Sequence, residues 1–300
     1  MAVVSAQGVA EPFDADGQPY SAFGDLTPGL RGFRLTFPWG RDREIVLIQV
    51  LAGGNSTDLT PDAQNAPANV PDGRLQVSLQ DGDPSGEEFG YNVSHSVMRI
   101  PGARRYQIRD VGCVGACTRT LPRSIFGRRS PAPPPPGTEP LVALVGFKLY
   151  FTGNREHELD RIGVWFRGRD LNIALRDESA SLTDTFGYLV DFVVIPTFGS
   201  NVSSGISRGT ASGLATVPLP TPSRANFVLT GWAFNFQPGD REILDIGVLR
   251  STDTFTVFYA DNGGGEAFDW RVEWAHIAPQ VFTEARTQRS QRRRRTRAAA

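Results

Sequence analysis

The sequence predicts an all-β protein, and three observations predict it. Apolar residues recur at alternate positions along much of the chain. Glycine and proline are plentiful, 32 and 22 residues against two methionines. No long window carries apolar residues at the i, i+3, i+4 spacing of an amphipathic helix. With 300 residues, 40% hydrophobic and 10% aromatic, the chain is long and apolar enough to build a sizeable core.

The first element of the pattern is a strand that opens on Leu-x-Gly-aromatic. It reads LRGFRLTF from Leu30, LVGFKLYF from Leu144 and LTGWAFNF from Leu229. Each continues at period two, through Leu35 and Phe37, Leu149 and Phe151, Phe234 and Phe236, as a strand with one buried face does. The glycine in each start, Gly32, Gly146 or Gly231, predicts a bulge or a close backbone approach. A Gly- and charge-rich turn follows, then an acid-aliphatic step: Glu44-Ile45, Glu158-Leu159 and Glu242-Ile243. The second strand carries Ile48 and Val50, Ile162 and Val164, Ile246 and Val248, and is read as the hairpin partner of the first. Its spacing from the glycine is equal in the first two stretches and one residue shorter in the third, a change a turn absorbs and a strand does not.

The third strand reads LQVSLQD, LNIALRD and FTVFYAD, ending at Asp81, Asp177 and Asp261. The fourth is aromatic: Phe89 and Tyr91, Phe186 and Tyr188, Phe268 and Trp270. Three tandem four-strand units follow from this, at 30–98, 141–196 and 228–278. A four-strand unit of this length is marginal alone, so the units are expected to share a core as a pseudo-threefold or sandwich-like β body.

The remaining segments are an N-terminal extension, 1–29, a Cys- and Pro-rich linker, 99–140, a Gly/Ser/Pro linker, 197–227, and an Arg-rich tail, 279–300. The tract APPPP in the first linker suits extended polyproline II, and the second linker reads as a flexible or surface-draped segment. The tail has no apolar face and is expected to be disordered in isolation, although 280–291 is the one stretch where a short helix is conceivable. No run approaches the ~18 apolar residues of a membrane-spanning helix. The N-terminus lacks the basic and apolar regions of a classical signal peptide, which predicts a protein that is cytoplasmic as synthesised or part of an exported particle.

Chemistry is sparse. The chain carries no G-x-S-x-G, P-loop or H-E-x-x-H motif. His95, His157 and His276 do not recur between units and read as surface or edge residues. Cys113 and Cys117 lack further ligands for zinc and read first as free thiols, with a local disulfide as the alternative. No catalytic residue, metal or cofactor is expected.

Asp81, Asp177 and Asp261 stand at equivalent turns, where an aspartate caps backbone N–H groups or, in the functional reading, binds a ligand such as a glycan. Trp39, in a turn, is the tryptophan best placed to stack on such a ligand. Net charge is formally −1, which argues against a dedicated nucleic-acid binder. Arg292, Arg293, Arg294 and Arg295 are the candidate contacts for nucleic acid or another polyanion. The expected function is that of a non-enzymatic structural or assembly protein with other protein subunits as partners. The alternative is a lectin-like protein using the equivalent turns.

Overall fold

The computed structural model describes residues 4–6, 27–37, 45–54, 56–60, 75–81, 89–98, 102–126, 140–153, 157–178, 185–195, 202–218, 226–237, 243–250, 254–261 and 267–277. These residues are nearly all strand, with one short 3-10 turn, Arg123–Phe126, and no α-helix. Trp39, the proline tract, the stretch 280–291 and Arg292 to Arg295 lie outside them, as do Glu44 and Glu242.

The strands are β1 (Val4–Ala6), β2 (Thr27–Thr36), β3 (Ile45–Ala52), β4 (Thr57–Asp58), β5 (Leu75–Asp81), β6 (Gly90–Met98), β7 (Arg104–Val114), β8 (Ala116–Thr120) and β9 (Leu141–Phe151). They continue with β10 (Leu159–Arg167), β11 (Asp170–Asp177), β12 (Thr185–Ile195), β13 (Val202–Ser212), β14 (Leu214–Pro218), β15 (Asn226–Phe236), β16 (Ile243–Arg250), β17 (Thr254–Asp261) and β18 (Ala267–Ile277). Three sheets result: β1-β5-β3-β9-β12-β7-β4, β13-β18-β15-β10-β11-β8 and β14-β17-β16-β2-β6.

The predicted hairpins of first and second strand do not form. β9 and β10 lie in different sheets, as do β2 and β3, and β15 and β16. The charged turns between them are crossings from one sheet to the next. The pairs made locally are second with third strand (β3–β5, β10–β11, β16–β17) and first with fourth (β2–β6, β9–β12, β15–β18). The pairings β3–β9, β10–β15 and β16–β2 then join each segment to another, so every sheet draws on two segments. Alternation is a local property and cannot name the partner strand, which is why the hairpin was the natural expectation.

The glycine expectation holds. The register of β2 on β6 shifts between Leu30 and Gly32, that of β15 on β18 between Leu229 and Gly231, and that of β12 on β9 between Asp191 and Phe192, opposite Gly146 and Leu144. A Cβ on Gly32 would stand 2.5 Å from the Val248 carbonyl oxygen, one on Gly146 2.4 Å from that of Val50, and one on Gly231 2.6 Å from the Trp165 Cβ. These are the points where β2, β9 and β15 run against β16, β3 and β10.

The aromatic residue after each of those glycines points to the centre. Phe33, Phe147 and Trp232 are fully buried, and their ring centroids form a triangle with sides of 4.9 to 5.0 Å. Around it one continuous apolar core draws on all three sheets. A second, smaller cluster of Ala143, Val145, Val193 and Ile195 with Val228, Ala275 and Ile277 covers the other face of β9, β12, β15 and β18 near one end.

Both linkers contain strands. β7 and β8 occupy the first, β13 and β14 the second. Each pair is an arm straddling two sheets: β7 lies on β12 and β8 on β11, while β13 lies on β18 and β14 on β17. The bends between the paired strands fall on Gly115 and Gly213, both at positive φ (59° and 88°), where glycine carries no steric penalty. Polar strands suit this place because their outer faces meet water. Cys113 and Cys117 flank the first bend with Cα atoms 5.9 Å apart and are joined as a disulfide, which corrects the free-thiol expectation. The spacing looked unremarkable in the sequence, but a tight turn brings residues four apart within bonding reach.

Candidate functional site

Among the described residues, several polar groups that could carry chemistry are buried. Asp191 sits on β12 opposite Gly146. Its carboxylate accepts from Arg105 Nε at 2.9 and 3.1 Å and also pairs with Nη2. The same guanidinium donates to the Gly53 carbonyl at 2.8 Å and the Ala52 carbonyl at 2.6 Å. Burial pushes the Asp191 carboxyl upward, and the Arg105 charge and hydrogen bonds oppose it. Glu273 stands at the matching place on β18, opposite Gly231, paired with Arg271. Burial likewise raises its pKa, against the pull of Arg271 and Arg208. A third braced acid, Asp245, accepts from Arg34 Nε at 3.0 Å and Nη2 at 2.6 Å, and that guanidinium also lies 4.2 Å over the Phe258 ring.

Two histidines read as surface residues are buried. His95 donates from Nε2 to the Val145 carbonyl at 2.8 Å, tying β6 to β9. Burial is the main reason its pKa falls to about 4; the nearby Arg105 charge adds to the fall and the hydrogen bond resists it. His157 lies 2.8 Å from Asp177 through Nδ1 and stacks on Phe151 with ring centroids 3.9 Å apart. A histidine-carboxylate pair is half of a general-base device, but a base must reach a substrate proton. The side chains of His157 and Asp177 are only 1% and 3% exposed, so this pair meets no substrate in this conformation.

The three turn aspartates end strands of three different sheets. Asp81, Asp177 and Asp261 pair across to Ile45, Leu159 and Ile243, each beside a register shift in the second strand. Asp177 is held by His157, and Asp261 accepts from the Tyr259 hydroxyl at 2.7 Å. Both carboxylates are buried. Among the described residues no group of three His, Cys, Asp or Glu converges as metal ligands would.

The outer surface differs. The large apolar side chains left exposed among the described residues are Val111 and Val114 on β7, Ile206 on β13 and Leu214 on β14, at 60, 45, 56 and 59%. All four belong to the arms. Sequence reasoning passed over them because the arms were read as linkers; the alternation in RYQIRDVGCV was the available signal. Asp191 and Glu273 were also missed, although a lone acid inside an apolar strand, as in YLVDFVV, is a signal of internal pairing.

The fold and these side chains define a three-sheet all-β protein with braced acids in its interior and exposed apolar side chains on its arms. No protein-family model matches the chain, and no curated protein matches it. No helix among the described residues is long and apolar enough to cross a membrane.

Proposed function

We propose that the protein is a non-enzymatic structural or assembly component, built by triplication of a four-strand β module, that acts through protein–protein contacts. Triplication is supported by the recurrence, three times over, of the glycine register shift, the central aromatic and the junction of second strand to the next first strand. The observation that carries the functional reading is the concentration of exposed apolar side chains on the arms. A soluble surface tolerates single apolar residues, but their grouping on the two arms suits a contact with another subunit. The glycan alternative drew on open acidic turns, and the internal pairing of Asp177 and Asp261 withdraws that support. The Cys113–Cys117 disulfide is of the kind that persists in oxidising surroundings, which favours an exported particle.

Sedimentation velocity over a hundredfold concentration range tests the reading. The full chain is expected to self-associate or to bind its neighbouring subunit. A variant with Val111→Ser, Val114→Ser, Ile206→Ser and Leu214→Ser is expected to keep its circular dichroism and lose the association. A full chain that stays monomeric at the highest concentration and retains no partner in pull-downs ends the proposal.

A further inference from the structure

Two arginines meet one tryptophan on the outer face of the second sheet. Ile162 and Val164 of β10 are buried in the core, so Arg161, Gly163 and Trp165, which alternate with them, face outward. The Arg161 guanidinium carbon lies 5.1 Å from the centre of the Trp165 ring, and that of Arg271 lies 5.7 Å from it. Arg271 reaches this ring from β18, with β15 lying between the two strands. The way is open because β15 presents Gly231 opposite Trp165 and Ala233 opposite Gly163, so nothing larger than a methyl group rises there. Ala233 in turn faces Arg271, and Arg208 of β13 lies beyond it. On the other side Arg161 pairs across to Arg176 of β11.

The acids of this face are already engaged. Asp160 pairs with Arg176 and Glu273 with Arg271, while Asp269 and Asp170 accept from the Thr210 and Thr120 hydroxyls. The Nε of Arg161 is buried and makes no hydrogen bond among the described residues, and the Nε of Arg271 is in the same condition. Burial and the neighbouring charges of Arg176 and Arg271 lower the Arg161 pKa, and Asp160 only partly offsets them. A stack on tryptophan contributes about 0.5–1 kcal/mol at an exposed site, a small return for crowding like charges. An anion that accepts from these guanidiniums removes the conflict.

We propose that Arg161, flanked by Arg176 and Arg271, is the centre of a binding site for a tetrahedral oxyanion, a phosphate or sulfate group held on the outer face of the second sheet. The ligand class follows from the donors. A planar carboxylate is matched by one guanidinium fork, whereas a tetrahedral oxyanion carries more oxygens and accepts from guanidiniums that converge from different strands. The face is accessible, since the Arg176 side chain is 51% exposed and Arg208 is exposed. Binding of this kind asks nothing of the arms, so a monomeric chain shows it as well.

Isothermal titration calorimetry of the full chain with inorganic phosphate and with sulfate, at an ionic strength held constant with sodium chloride, tests the proposal. Saturable binding at one site is expected, and Arg161→Gln should weaken it at least about tenfold. Arg123→Gln removes the same charge from an exposed residue on the 3-10 turn and should leave the affinity within about twofold. Thermal unfolding gives a second reading: phosphate should raise the Tm of the unaltered protein above its value in matched chloride and leave that of Arg161→Gln unmoved. If Arg161→Gln does not fold, Arg161→Lys keeps the charge, loses the fork and should still weaken binding. Phenyl phosphate separates the sources. Affinity equal to that of inorganic phosphate assigns the site to the end of a monoester, and binding of the inorganic ions alone assigns it to a free anion; both uphold an oxyanion site. No saturable binding of either ion up to about 10 mM, or equal affinity in the unaltered and Arg161-substituted chains, overturns the proposal. So does an equal loss in Arg123→Gln, because the attraction then belongs to the charge of the whole chain.

Discussion

Replacing Gly146 by alanine places one methyl group where two backbones cross. The added Cβ would lie 2.4 Å from the Val50 carbonyl oxygen and 3.1 Å from the Leu51 Cα. Both are main-chain atoms of β3, which is paired to β9 through Val50 and to β5 through Leu51, so neither can swing aside as a side chain would. Overpacking of a tight core costs about 1–3 kcal/mol, and alanine recovers roughly 0.4–1 kcal/mol by restricting the unfolded chain. The contact here is with backbone, which puts the net cost at about 2 kcal/mol, toward the upper end of that range. In a chain of 300 residues that corresponds to a fall of roughly 3 °C in Tm. The same cost is expected for Gly32→Ala, where the obstruction is the Val248 carbonyl at 2.5 Å, and for Gly231→Ala, where it is Trp165 Cβ at 2.6 Å and Cα at 2.7 Å. Gly153→Ala is the control, since nothing lies within 4 Å of its Cβ position. Urea titration followed by circular dichroism measures all four. Tolerance of alanine at any of the three sites, or an equal loss at Gly153, refutes the reasoning.

Two other perturbations probe the buried charges. Arg105→Met leaves Asp191 ionisable and unpaired in an interior where its side chain is 1% exposed, and is expected to cost about 3–5 kcal/mol. Arg105→Met with Asp191→Leu should recover most of that loss in the same urea titration, and a double variant as unstable as the single one would show that packing rather than charge dominates. The His95 pKa, lowered in the fold to about 4 from its ordinary 6.5, gives a pH test. The unfolded chain takes up the proton first, so the stability from neutral His95 is complete above pH 6.5 and is lost as pH falls toward 4, a loss of about 3 kcal/mol. Relative to His95→Phe, the unaltered protein should lose that amount over this window, and parallel stability curves would rule the histidine out.

The readable part of the fold is the part set by neighbouring residues. Alternation marks β9, β12 and β18 because successive side chains on a strand point to opposite faces whatever the strand pairs with. The glycines were legible too, because so few positions in a strand prefer the absence of a Cβ. The candidate site was much less so. Asp177 and Asp261 were correctly placed at strand ends, but what they bond, His157 and the Tyr259 hydroxyl, depends on which turns and strands meet. The arms were lost among prolines, serines and glycines because an edge strand facing water needs no apolar face.

By itself the sequence determined the strand content and the recurrence of the Leu-x-Gly-aromatic start. The tertiary structure alone decided that first and second strands part into different sheets, that Phe33, Phe147 and Trp232 meet at the centre, and that Asp191 and His95 are sealed inside. Strand partnership is settled by backbone ladders between residues far apart in the chain. The free energy of forming them depends on the whole set of sheets closing together, and no local window of sequence contains it.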